Sequence, residues 1–96
     1  MTIEEFQKAI EEIYFGRDSA RGLAGTFMWF AEEVGELAAA IRRGESDNLH
    51  EEFADVFAWL VSLASVSGIR MEDAVRKYAD GCPYCKNAPC TCSDKV

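Results

Sequence analysis

Five carboxylates in two short clusters carry the clearest chemical signal in this chain: Glu32, Glu33 and Glu36 in the first, Glu52 and Asp55 in the second. Each cluster is threaded through an apolar repeat of helical period, formed by Phe27, Phe30, Val34, Leu37 and Ile41 and by Phe53, Val56, Phe57, Leu60 and Ala64. At about 100° per residue, with Phe30 at zero, Phe30, Val34, Leu37 and Ile41 stay within ~40° of zero and the three Glu fall between about −60° and −160°. With Phe53 at zero, Glu52 and Asp55 fall near about −100° and −160°. Both acidic arcs are therefore expected to flank a buried face. The short connection from Gly44 to Asp47 implies an antiparallel hairpin, and reflection about its midpoint sets Glu36 level with Asp55.

Carboxylates facing each other in this way repel, so a cation is expected between them. Oxygen donors without His or Cys suit Mg²⁺ or Mn²⁺ better than zinc or copper, and the surplus of ligands over one Mg²⁺ site suggests two ions. The alternatives are an ordinary solvated helix face and a di-iron bundle, which would want Glu-x-x-His on two helices. The single histidine, His50, falls in the first turn of its helix and is expected to be exposed.

A second chemistry sits at the C-terminal end. Cys82, Cys85, Cys90 and Cys92 form a C-x2-C-x4-C-x-C pattern that offers four thiolates to a tetrahedral zinc ion. Redox-active or disulfide-linked thiols and an iron–sulfur or other soft-metal site are the rival readings. A saturated four-cysteine site has no open coordination position, so its expected role is structural, and no base accompanies these thiols to make one a nucleophile.

The elements that must position these groups are helices. Both prolines lie in the cysteine segment, which leaves an all-α body over residues 1–81 and a cysteine-rich tail over 82–96. Thr2 with Glu5 reads as a capping box opening a helix over about residues 3–15, and residues 16–22 read as a polar connection. A second helix is expected over about 20–43. A third follows over about 48–67, with Asn48 and Glu51 as its capping box and Gly68 at its end, and a shorter fourth over about 71–79. Two amphipathic helices with two short ones cover their aromatic residues thinly, so the expected architecture is an antiparallel bundle of about four helices completed by oligomerisation, with a C-terminal four-cysteine metal knuckle.

Ninety-six residues allow one small domain, and 49% apolar with 28% charged residues describe a folded chain. A formal net charge of −7 argues against binding a nucleic acid polymer. No basic n-region or apolar run of about 20 residues is visible, so the expectation is a cytoplasmic protein without a membrane partner. Trp29 and Trp59 fall inside the two acidic arcs, where their rings would stack on a base or close the helix interface. Arg17 and Arg21 are basic groups able to reach a phosphate, and no Walker-type loop is present to do so instead.

The segment Glu32-Glu33-Val34-Gly35-Glu36, followed after fifteen residues by Glu52-Phe53-Ala54-Asp55, resembles the E-E-x-x-E and E-x-x-D signature of the MazG-like, all-α nucleoside triphosphate pyrophosphohydrolases. The similarity takes in the lead-in from Arg17 to Gly22 and Trp29, and covers roughly residues 3–80. It implies Mg²⁺-dependent hydrolysis of a nucleoside triphosphate between its α and β phosphates, and it points to nucleotide-pool house-cleaning as the role. By the same resemblance Glu33, Glu36, Glu52 and Asp55 are metal ligands, Glu32 is a further ligand or orients the attacking water, and Lys77 matches a basic position common after the last helix. Homodimers, or tetramers, are implied as well. Two other functions stay open at this point: the same chemistry on phosphoribosyl-ATP, and a non-catalytic zinc-containing helical interaction module.

Overall fold

The computed structural model describes residues 1–44 and 46–93, among which every element is helical. Helix α1 spans Ile3–Arg43, α2 spans Ser46–Val66 and α3 spans Met71–Ala74, and a 3-10 turn, Val75–Tyr78, follows α3 directly. Glu45 of the hairpin connection and the last three residues of the tail lie outside the described residues.

The first capping box forms as expected: the Glu5 N–H donates to the Thr2 hydroxyl at 3.0 Å, and the Thr2 N–H donates to the Glu5 carboxylate at 2.8 Å. The expected connection over 16–22 does not. Residues 16–21 continue the helix, which is interrupted only at Gly22, with φ 84° and ψ 170°. This segment is polar because it lines a cavity, and its Asp18–Arg21 pair at 2.9 Å has helical i,i+3 spacing. Glycine alone takes the Gly22 conformation without strain. Gly22→Ala should therefore cost about 1–3 kcal/mol, read as a lower denaturant midpoint.

The hairpin turns at Gly44, in the left-handed conformation at φ 70°, with its N–H on the Ala40 and Ile41 carbonyls. Helix α2 starts at Ser46, earlier than expected, so Asn48 lies inside it and is not its N-cap, while Asp47 supplies negative charge to the first turn. Gly68, at φ 73°, ends α2 as expected, and the Ile69 N–H returns to the Ala64 carbonyl at 2.8 Å. The expected fourth helix is one turn of α-helix and then the 3-10 turn, and its N-cap residue Arg70 contributes no side-chain cap.

Both arms of α1 lie along α2. The N-terminal arm is held by the Phe6–Phe57 ring stack at 5.3 Å and by Gln7, whose amide donates to the Ser65 hydroxyl and the Ile69 carbonyl and accepts from the Met71 N–H. The C-terminal arm meets α2 through Trp29 on Trp59, with ring centroids 6.1 Å apart. The buried contacts are mostly small: Thr26, Ala40, Val61, Ser62 and Ala64, with Ile10. Thin cover of the apolar stripes was expected, and within one chain they are covered only in part, Ala64 by burial and Phe57 by its stack on Phe6. Phe27, Ile41 and Phe53 remain 55%, 56% and 56% exposed. Small residues permit close helix approach, so the helices meet near the carboxylates and leave Phe27, Ile41 and Phe53 of the stripes outward. The Cα radius of gyration, 15.7 Å, exceeds the ~13 Å of a compact chain of about this length.

No single helix among the described residues is long and apolar enough to cross a membrane.

Candidate metal and substrate site

Glu33 and Glu36 come from the C-terminal arm of α1 and Glu52 from the facing turn of α2. Each offers one carboxylate oxygen, and these oxygens lie within 4.8 Å of one another. Oε2 of Glu33 and Oε2 of Glu52 are buried and have no hydrogen-bond partner among the described residues. Burial, a hydrogen bond with Glu36 and the charges of Glu36, Asp55 and Glu52 raise the Glu33 carboxyl to about 7. Burial and the charges of Glu36, Asp55 and Glu51 also raise Glu52 above the usual carboxylate range. Buried oxygens without donors among the described residues, and carboxyls that resist ionising, are features of a site suited to a cation. Hard oxygen ligands on two rigid helices fit a divalent cation of the Mg²⁺ type.

Asp55 lies outside that group of three but near enough for its charge to act on both buried Glu. Glu32 is exposed and borders an open cleft of about 470 Å³ shared with Glu36, Glu52 and Asn48. His50 is exposed, as expected.

Asp55 also forms part of the wall of a cavity of about 210 Å³, lined by Tyr14, Arg17, Asp18 and Arg21 of the N-terminal arm and by Ala58, Trp59 and Ser62 of α2. The Gly22 break ends the arm that supplies the first four of these. Arg21 is bound to buried Asp18, lies 5.1 Å from the Trp59 ring centroid and donates to Thr26 at 3.4 Å. Trp59 is thus a cavity wall, and Trp29 stacks on it with 49% of its own surface exposed. Lys77 stands on the 3-10 turn with its ammonium over Tyr78 and is not part of the cavity lining.

Sequence reasoning missed Tyr14, Asp18 and Ser62 in this lining. A signal existed, since Tyr14, Asp18 and Arg21 follow i, i+4, i+7 spacing, but the segment was assigned to a connection.

In the C-terminal segment the four cysteine sulfurs also lie within 4.8 Å of one another. Backbone N–H groups hold the Cys82 and Cys85 thiols below the usual range, Cys85 at about 5, while the hydrogen bond with Cys90 and burial push Cys92 up to about 12.

The all-helical hairpin thus brings clustered carboxylates together at its interface, with a cavity beside them that shares Asp55. The sequence pattern of the MazG nucleotide pyrophosphohydrolase domain matches residues 22–85, two thirds of the chain, and the chain belongs to that family. The family identity makes a nucleotide the substrate class and pyrophosphohydrolysis the general reaction. Comparison with individual curated proteins gives no match.

Proposed function

We propose that this protein hydrolyses nucleoside triphosphates between the α and β phosphates to a nucleoside monophosphate and pyrophosphate, with Mg²⁺ held by Glu33, Glu36, Glu52 and Asp55. The observation that carries this reading is the trio of carboxylates within 4.8 Å, two of whose buried oxygens lack a hydrogen-bond partner among the described residues. When bound, Mg²⁺ or Mn²⁺ supplies positive charge to the phosphate oxygens and lowers the pKa of an attacking water. The chain's own residues do the rest. Glu33, Glu36 and Glu52, fixed on facing helices, set where the triphosphate must lie, and Asp55 joins that position to the cavity. Glu32, at the mouth of the cleft, is placed to orient a water or to add a ligand.

The nucleoside is assigned to the cavity, with Trp59 as its flat apolar wall and Ser62 as a polar contact. Trp29 extends that aromatic surface. Arg17 is the cavity-lining cation assigned to phosphate, whereas Arg21, already committed to Asp18 and Trp59, positions the wall. Lys77, outside the cavity lining, is a further cation assigned to phosphate. House-cleaning of surplus or unwanted nucleotides in the cytoplasm is the cellular role this chemistry suits. Thiols are the wrong donors for Mg²⁺, so the cysteine segment belongs to a separate centre.

The outward stripes around Phe27, Ile41 and Phe53 are assigned to a second copy of the chain, which would complete a helical bundle. Light scattering should report a homodimer or tetramer, and Ile41→Glu should shift it to monomer; a wild-type monomer at micromolar concentration would remove this part of the proposal.

The reaction is tested by incubating the protein with canonical and modified nucleoside triphosphates plus Mg²⁺ and resolving the products. Monophosphate with pyrophosphate is expected. Orthophosphate would mean cleavage at another bond, and no product from any triphosphate would turn attention to phosphoribosyl-ATP or to a non-catalytic module.

A further inference from the structure

The segment from Gly81 to Ser93 has no regular secondary structure and buries no apolar side chain of its own. A chain of this kind cannot offset its ordering entropy by hydrophobic burial. Its four cysteines nevertheless converge. Cys82 Sγ lies 3.8 Å from Cys92 Sγ, and Cys85 Sγ lies 3.9 Å from Cys90 Sγ. Four sulfurs at ~2.3 Å from one centre, in tetrahedral directions, are about 3.8 Å apart along each edge. The pairs are thus at the spacing of a mononuclear tetrathiolate and far beyond the ~2.05 Å of a disulfide bond.

The backbone is arranged around the sulfurs in the same sense. The N–H of Tyr84 points at Cys82 Sγ at 3.4 Å, that of Thr91 at Cys85 Sγ at 3.3 Å, and that of Cys92 at Cys90 Sγ at 3.3 Å. Donors aimed at sulfur favour the thiolate, which is the ligand form. The turn beneath the first pair is closed by Lys86 N–H to the Cys82 carbonyl at 2.7 Å and Cys82 N–H to the Asn87 carbonyl at 3.0 Å. Gly81, at φ 112°, allows that closure, since a Cβ there would come within 3.1 Å of the Asn87 carbonyl.

We propose that Cys82, Cys85, Cys90 and Cys92 bind one zinc ion in a closed structural site that serves as the folding core of the C-terminal segment. Four thiolates at tetrahedral spacing suit zinc or a single iron. Cys90 is exposed, and an ion reached by water and oxygen is better retained when it has no redox chemistry, which selects zinc. A four-iron cluster takes its thiolates on separate irons and needs the sulfurs spread much more widely than they are. All four positions are filled by protein, so the ion has no vacancy for a phosphate or a water. The site stands apart from the carboxylate cluster in both donor type and place in the chain.

Elemental analysis of the full-length protein purified from reducing cells should give one zinc per chain, released by mercurial titration of four thiols. Replacing zinc with Co²⁺ should produce the intense visible bands of tetrahedral cobalt thiolate. Chelation should expose residues 82–93 to limited proteolysis while helical circular dichroism persists, and Cys85→Ser should lose the cobalt spectrum with the helical signal kept. A mass lower by four hydrogens without metal would mean two disulfides and would overturn the proposal, as would stoichiometric iron or a metal-free protein with four reactive thiols. These readouts do not use nucleotide turnover, so a chain inactive on every triphosphate but holding one zinc would reject the proposed reaction and leave this site standing.

Discussion

Glu36→Gln is expected to lower turnover by about 10²-fold or more while raising the melting temperature of the metal-free protein. The loss follows because each carboxylate contributes charge where the cation and the triphosphate meet, and removing one preorganised electrostatic group at a reacting centre costs about that much. The gain in stability follows from the repulsion in the empty cluster: Glu36, by hydrogen bond and by charge, helps to raise the Glu33 carboxyl to about 7 and also raises Glu52. A carboxyl whose pKa is higher in the folded than in the unfolded chain stabilises the fold below its unfolded value, and that contribution is lost as pH rises through the folded one. Metal-free protein should therefore melt progressively lower between about pH 4.5 and pH 7, and Mg²⁺ should restore it at about pH 7.5 and do little at about pH 5. In Glu36→Gln the pH slope should flatten and the Mg²⁺ shift shrink. A variant with full turnover, or a wild-type melt indifferent to Mg²⁺ at neutral pH, would sink the assignment of these residues as metal ligands.

Asp18→Asn is expected to cost about 2 kcal/mol in stability and to raise KM several-fold more than it lowers kcat. Asp18 is 3% exposed and its carboxylate binds Arg21 at 2.9 Å. Removing one member of a fully buried pair costs about 3–5 kcal/mol, and the Arg21 side chain, 26% exposed, keeps enough water to reduce that figure. The kinetic effect follows because Arg21, without its anion, loses the anchor that holds it over Trp59 in the cavity wall. Adding Arg21→Gln to Asp18→Asn should recover part of the stability, since no uncompensated cation is then left, but none of the KM. Urea denaturation of the four proteins of this cycle supplies the coupling energy, and simple additivity of the two substitutions would show that the pair does not act as a unit.

The amino-acid sequence by itself determined the all-helical class, the hairpin and the acidic residues that meet across it. Those features are local: helical period, a capping Thr2, glycines at the helix ends and the spacing of Glu33 to Glu36 follow from the chain's own stereochemistry. The compact C-x2-C-x4-C-x-C pattern was legible for the same reason, because its ligands are close in sequence before they are close in space.

What the sequence left undecided is which face of each helix meets the other. The apolar stripe through Phe30 and Val34 is the obvious interface by composition, yet the chain packs through Thr26, Ala40, Val61 and Ser62, where small side chains admit a close approach. Only that choice buries the Glu33 and Glu52 oxygens and leaves Phe27, Ile41 and Phe53 outward. The polar run from Arg17 to Arg21 was likewise ambiguous, since polarity marks a loop and a cavity wall alike. The tertiary structure decided for the cavity because α2 brings Trp59 and Ser62 against a helical arm that ends at Gly22, and non-local packing of that kind cannot be read from any single stretch of chain.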